Sequence, residues 1–536
     1  RMKKLLLPFV LAFSVTAVFG QTANTSNPVD AVLPTGAYRF FNHVTFEDPR
    51  TVGVADSSSL DGAFLEQGSY IAGTGQEWII TDLGGGEYTL VNTHSGKALA
   101  IPGESPLAGT PLIQMPPNPA LPGQRWRIEW LGGYGVHFIR SSLDTTYYAC
   151  IQDNSTADGA RLILNTKSSP ENKYFLFQRT AYLDREVTDW FRPTTGWIAG
   201  DGGSSLKLSN GKIVWAFGDS HYNDYKDGTV ICLFNTRNLV RVQMAEHNFN
   251  PEPPNAATLK SPLGPFTYRS HPDIPGSFNW PSPFVEVNGY VYNLLANFRQ
   301  GEGGTWSYNG PPALGKMDIH TLDPASITYH QIQDVDTIDF AGGFAHGDDG
   351  YIYVFGFKHA PDQPHYIQNM YVARFQADSI DAGIWNFWNG SDWNSTDARD
   401  AAPVHQGIAA HVVRIGNKYV RSGVRNTAFW YPCVPDEEAR KVWVSTSDSP
   451  VGPWTPEKWV YTINEAYHGA IPTFYGGWPS AANLNDRNEM LIIYSINGYK
   501  PNCGIPETCV ENRMNPDIMY RPRAIRVPLE LLGSGF

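Results

Sequence analysis

Five segments of one kind recur in the chain after about residue 190, and they leave few folds open. They read NGKIVWAFGDS from Asn210, NGYVYNLLANF from Asn288, DGYIYVFGFKH from Asp349, GNKYVRSGVRN from Gly416 and NEMLIIYSING from Asn488. Each joins a turn to an apolar, aromatic-rich strand and a polar exit. Their starts lie 78, 61, 67 and 72 residues apart, enough in each interval for one four-stranded antiparallel sheet with its loops. Sheets repeated in this way are propeller blades around a central channel, whereas a β-sandwich leaves the five returns unexplained. Residues 190–536 are therefore expected to form a five-bladed β-propeller. The C-terminal RPRAIRVPLELL is expected to close the ring by pairing with the first blade.

A second repeat system occupies residues 36–180. GQEW at 75–78 and GQRW at 123–126 each carry Gln-x-Trp, and ENKY at 171–174 reads as a degenerate third copy. Each follows a strand-like run and a small-residue turn, in TVGVADSSSLDGAFLEQ, KALAIPGESPLAGTPLIQ and YACIQDNSTADGARLILN. Units of about 48 residues cannot bury a core alone, so they are expected to pack about a pseudo-threefold axis with the tryptophans at its centre. The pattern resembles the ricin-type β-trefoil, which implies a carbohydrate-binding module. Such lectins place an Asp on the strand after the first turn of each repeat. Here the matching positions read Gly53, Ala100 and Cys150, with Asp56 and Asp153 out of step, so both sugar binding and a spacer role stay open.

The whole chain is expected to be all-β: 536 residues, 13% aromatic, only 17% charged, with 51 Gly and 40 Pro. A net charge of −12, with no cluster of Lys and Arg, argues against nucleic acid or an anionic membrane as partner. Lys3 and Lys4 precede an apolar run from Leu5 to about Phe19, followed by Gly20. Residues 1–20 read as a signal peptide and 21–35 as a linker, which predicts secretion and a soluble monomer. Among the five cysteines, Cys503 and Cys509 flank GIPET and are expected to form a short-loop disulfide. Cys150 and Cys232 read as buried thiols, and Cys433 has no evident partner. No CxxC pair points to zinc.

The stretch GDGGSSLKLSNGKIVWAFGDS, residues 200–220, carries the chemistry. SSLKL and KIVWAFG read as a hairpin turning at Ser209-Asn210-Gly211, because Asn and Gly tolerate positive φ. A three-residue loop pairs Leu208 with Lys212, and the same register sets Asp201 opposite Asp219 at the open end, with Cβ atoms about 4.5–5.5 Å apart. Two carboxylates that close raise each other's proton affinity, so one can serve as an acid while the other stays ionised. Glycosidases need this arrangement, retaining at about 5–5.5 Å and inverting at about 6.5–9.5 Å. A two-residue loop would instead send the side chains to opposite faces.

GWIAGDGGSSLKLSNGKIVWAFGDS resembles the first blade of a five-bladed propeller family that includes bacterial endo-D-arabinanases. The likeness extends to WPSPFVEVNGYVY from Trp280, TSDSPVGPWTPEKWVY from Thr446 and MYRPRAIRV near the C-terminus. The resemblance implies that Asp201 and Asp219 are the catalytic pair and that the substrate is a polysaccharide, with a furanose polymer such as arabinan the best match. His221 and Tyr222 have no counterpart in the family pattern. They leave room for a polysaccharide lyase with a His or Tyr base, and a non-catalytic glycan-binding propeller is the other alternative.

His221, Trp280 and Trp478 are candidate substrate-binding residues, the tryptophans stacking on sugar faces or packing between blades. Trp306 belongs with them, and His346, His405, His411 and His468 are candidates for lining the channel. Glu302 and Asp339 are reserve acids. No cofactor or catalytic metal is expected, and a structural calcium ion is left open. The chain has no phosphate loop, HExxH helix or GxSxG elbow, which sets aside the commonest NTPase, zinc-protease and serine-hydrolase chemistries.

Overall fold

The computed structural model describes residues 33–536 except 132–135, 250–259, 262–263, 266–275, 302–305, 309–311, 323–326, 426–436, 466–471, 498–508 and a few shorter stretches. The proposed signal peptide, Cys433, Cys503, Glu302, His468 and the side chain of Trp306 lie outside the described residues. The fold is all-β: a trefoil-like N-terminal domain followed by a five-bladed propeller.

The threefold symmetry is visible in matching backbone bonds. Val54 N–H donates to Gly75, Ile101 to Gly123 and Ile151 to Asn172, at 3.1, 2.9 and 2.9 Å. These pairs put the third copy one residue later than ENKY suggests: Asn172-Lys173-Tyr174-Phe175 aligns with GQEW and GQRW. Trp78, Trp126 and Phe175 are consequently the three equivalent core residues, each fully buried, while Tyr174 is exposed. The two indoles also donate to the strands of their own repeats, at Val52 and Leu99. Leu65, Leu112 and Leu162 close the base of the same core.

In the propeller, all five recurrent segments form the second strand of a blade: Ile213–Tyr222, Tyr290–Gln300, Tyr351–His359, Lys418–Val424 and Glu489–Ile496. Packing explains their composition. Blades stack face to face, so a central strand is covered on both sides and reads as a nearly continuous apolar run; Glu489–Ile496 is buried at every position. Five apolar clusters fill the five seams between neighbouring blades. Burial of each large aliphatic or aromatic side chain there contributes about 1.5–3 kcal/mol.

The inner strands are Trp197–Lys207, Phe278–Val287, Asp339–His346, His411–Ile415 and Phe474–Ser480. Each precedes the hairpin that leads to its second strand, so all five start at one mouth of the channel. Ring closure differs from the expectation. The C-terminal strand Arg523–Pro528 stays in the fifth blade, and Tyr182–Leu183, from before the first blade, pairs with it as that blade's outermost strand. Asp184 then caps the short helix Arg185–Trp190 and accepts from Arg526 Nε at 2.7 Å, which ties the two ends of the propeller together.

The cysteine expectation is corrected too. Cys509 is bonded to Cys232, with 5.5 Å between their Cα atoms, so Cys232 is no free thiol. A short pairing of Val230–Ile231 with Arg513–Met514 brings the loops of the first and last blades side by side, a contact that local spacing cannot reveal. Cys150 is a buried thiol.

Candidate active site

The first-blade hairpin keeps the expected register through most of its length. Leu208 N–H donates to the Lys212 carbonyl at 2.8 Å, and the ladder runs unbroken from Lys207↔Ile213 to Ser204↔Ala216. It then slips at Gly202↔Phe217 and returns at Gly200↔Ser220. Two opposed bulges account for this. Gly203 is the extra residue on the inner strand, and one of Gly218 and Asp219 is the extra residue on its neighbour. A bulge re-aims a side chain without losing the sheet, and here it sets Asp201 against the Gly218–Asp219 pair.

The glycines are dictated by this geometry. Gly203 has φ 141°, and a Cβ there would come 2.5 Å from Ile493. A Cβ on Gly218 would meet Asp201 Oδ1 at 2.3 Å, so the carboxyl of Asp201 occupies space that only glycine leaves free.

Each carboxyl group has its own partners. Asp201 Oδ2 accepts from the Tyr475 hydroxyl at 3.0 Å, and its carboxyl also accepts from the Asp219 N–H. Asp219 Oδ1 accepts from the Trp280 indole N–H at 3.1 Å and faces Arg237 Nη1 at 3.5 Å. Arg237 lies 4.3 and 4.2 Å from the ring centroids of Phe234 and Phe278. Burial pushes Asp201 up to about 8, with the neighbouring Asp219 charge adding to it. Asp219 is also pushed up by burial, but Trp280 and Arg237 hold it back at about 6. The two carboxyl groups titrate as a pair, with the first proton leaving from the Asp219 side.

Around the mouth the contacts pass from blade to blade. Tyr475 and Trp478, both on the fifth inner strand, meet edge to face at 6.2 Å between ring centroids, and Trp478 lies 5.0 Å from His411 of the fourth. His411 is hydrogen-bonded to the Ala341 backbone of the third, and burial pushes it down to about 4. Tyr520 is close enough for both aspartates to raise its pKa further, after burial itself.

The structure thus brings Asp201, Asp219 and Trp280 into direct contact and places Trp478 one ring away. Trp280 meets the site through its N–H, while Phe278 and Phe298 pack on its ring. His221 is different: it is wholly buried, with Nδ1 2.9 Å from Asp224 Oδ2 and its ring 5.7 Å from that of Tyr520. It therefore offers substrate no surface. His346 bonds to the Glu286 carbonyl, and His405 to Arg421 beside Glu457. Asp339 is exposed at the start of its strand.

Sequence reasoning missed Tyr475, Arg237 and Tyr520. The Gly476-Gly477 doublet beside Tyr475 marks a bulge before Trp478, and Tyr520 lies in MYRPRAIRV; nothing marks Arg237. Among the described residues, no group of three or more His, Cys, Asp or Glu side chains is disposed to hold a metal ion.

Comparison with known proteins follows the two-domain division. Residues 184–529 match a family described as a domain of unknown function, DUF5005, and residues 32–115 match a ricin-type β-trefoil lectin domain-like family. No curated protein sequence matches. Among solved structures, the chain is similar to ThreeFoil, a designed threefold-symmetric protein, at 31% identity over 26% of this chain and 97% of that one, with a TM-score of 0.25. It is similar to a Bacteroides ovatus ATCC 8483 protein described as a "putative hydrolase", at 17% identity over 65% and 89% of the two chains, with a TM-score of 0.46. It is also similar to an exo-β-1,3-galactanase from Clostridium thermocellum, at 25% identity over 28% and 32%, with a TM-score of 0.25.

Proposed function

We propose that this chain, which belongs to the DUF5005 family through residues 184–529, is a secreted glycoside hydrolase whose catalytic pair is Asp201 and Asp219. One observation carries the reading. Two carboxyl groups on adjacent strands at the channel mouth, Asp219 buried and Asp201 half-buried, have partners that divide their proton affinities, one above neutrality and one below. Asp201 is then the general acid that protonates the leaving oxygen. Asp219, ionised beside Trp280 and Arg237, is the nucleophile or the base that activates water, and it stabilises the positive charge that develops on the sugar. Tyr475 is a positioning residue that fixes the acid. Trp478, half-buried one ring further on, would stack on a sugar face.

The resemblance of the first-blade motif makes a furanose polymer such as arabinan the leading substrate class. The ricin-type domain supports a glycan as ligand and gives the enzyme a second point of attachment to it. The lyase alternative loses its histidine, because His221 is buried against Asp224 and cannot reach a substrate proton.

Reducing-sugar release from arabinans, galactans and uronic-acid polymers tests the reading, with wild type compared to Asp201→Asn and Asp219→Asn. Release that collapses in both variants supports it. Release that survives both removes the pair from the chemistry, and unsaturated products absorbing in the ultraviolet would assign a lyase instead.

A further inference from the structure

A second site lies at the seam between the trefoil and the outer strand of the fourth blade, Lys458–Thr462. The cavity there holds about 280 Å³, near the lower end of the range for small-molecule sites and enough for a single sugar ring. Its lining carries Arg39, Arg179 and Lys458, with no carboxylate among the described lining residues, in a chain of net charge −12.

Two of these cations are engaged. Arg179 pairs with Glu530 at 2.5 Å, and the Lys458 ammonium donates to the Leu531 carbonyl. Arg39 is the exception. Its Nε and Nη2 both donate to Gln178 Oε1, at 2.8 and 2.5 Å, and its guanidinium lies 4.5 Å over the Tyr70 ring, but no described carboxylate is within ion-pair distance. Glu77, behind Tyr70, is fully buried, is pushed up by that burial, and lies beyond ion-pair distance of Arg39. A half-buried guanidinium held by a neutral amide and a ring, with no carboxylate beside it, keeps a charge that an anion can pair with.

The cavity also has an aromatic lining residue. Trp459 is 49% exposed, unusual for a side chain of its size, and it lines the same cavity. Lys441 lies 4.1 Å over its ring, which holds the indole from one side. A cation that wants a carboxylate, in one cavity with an indole that can cover the C–H face of a pyranose, selects a sugar that carries both features.

We propose that this interdomain cavity binds a uronic acid residue of a glycan, with Arg39 on the carboxylate and Trp459 on the ring. The site is separate from the aspartate pair and does not depend on hydrolysis. It would anchor an acidic or acid-decorated polysaccharide to the back of the fourth blade.

Isothermal titration of the full chain carrying Asp201→Asn, which removes turnover, tests the proposal with the methyl glycosides of galacturonic and glucuronic acid, the matching neutral glycosides, and inorganic phosphate. The expected result is millimolar binding of at least one uronide, with its neutral counterpart at least tenfold weaker and phosphate unable to compete. Arg39→Gln and Trp459→Ala should each weaken uronide binding at least tenfold. The two side chains reach the surface, so unchanged melting will show that the variants are folded. Absence of uronide binding, equal binding of the neutral sugar, full competition by phosphate, or binding that survives both substitutions would each overturn it. Because the readout is heat of binding in a variant without turnover, failure here leaves the hydrolase reading standing, and failure of that reading leaves this one.

Discussion

Tyr475 donates its hydroxyl to Asp201 Oδ2 at 3.0 Å across the seam between the last blade and the first. The site is therefore assembled only when the ring closes, since its two aspartates come from one hairpin of the first blade and two of their partners, Trp280 and Tyr475, from blades 2 and 5. Loss of a general acid or base slows such chemistry by about 10²–10⁴-fold. Asp201→Asn and Asp219→Asn should each reduce kcat by at least about a hundredfold on the polymer that the wild type cleaves. The double variant should fall little further, because the pair acts as a unit. Steady-state kinetics of the three variants checks this.

The pH profile should be a bell. Asp219 must lose its proton, which sets an acid limb near 6, and Asp201 must keep its own, which sets an alkaline limb near 8. Trp280→Phe removes a donor that favours the charged form of Asp219, so the acid limb should move to higher pH. Tyr475→Phe does the same to Asp201 and should move the alkaline limb upward. A merely structural role for either residue would lower activity at every pH without moving one limb, so kcat/KM against pH separates the two.

How much of this was legible in the sequence depends on the range of the interaction. The five second strands could be read because burial on both faces leaves a continuous apolar run, and the trefoil because its Trp and small-residue turns recur. The opposition of Asp201 and Asp219 could be read from the hairpin register, although the register holds only because two bulges cancel; Gly203 and Gly218 were the local signs of them. Tyr475, Arg237 and the Cys232–Cys509 bond were not legible, since each depends on how separate segments close a ring. ENKY sets the third trefoil repeat one residue early because Tyr174 looks like the aromatic core residue, and only the backbone bond from Ile151 to Asn172 shows that Phe175 is.

The disulfide gives a stability prediction. It joins residues 277 apart, across the seam that Tyr182–Leu183 also closes. Removal of a native disulfide typically loses about 2–5 kcal/mol. Cys232→Ser should lose a comparable amount in denaturant unfolding of the propeller. Reductant should destabilise the wild type to the same level and leave the variant unchanged.

Asp201 should also make stability depend on pH. Its folded pKa of about 8 lies well above that of an ordinary aspartate, so the folded chain holds a proton that the unfolded chain has released. The stabilisation from that proton is fully present below about pH 4 and is lost as pH rises through 8. Above that, the native state carries a poorly solvated carboxylate beside Asp219. Asp201→Asn keeps the group neutral at every pH and retains an oxygen for the Tyr475 hydroxyl. The variant should therefore be more stable than wild type at pH 9 by several kcal/mol, about 1.4 kcal/mol for each unit by which the folded pKa is raised, and the difference should shrink towards pH 4. Denaturant melts of both proteins at pH 4, 7 and 9 measure it. An inactive variant that is more stable on the alkaline side is the expected mark of a carboxyl group held for chemistry at the expense of the fold. Equal stability at all three values would mean that Asp201 is solvated well enough to ionise freely, and it would remove the reason for assigning it the role of acid.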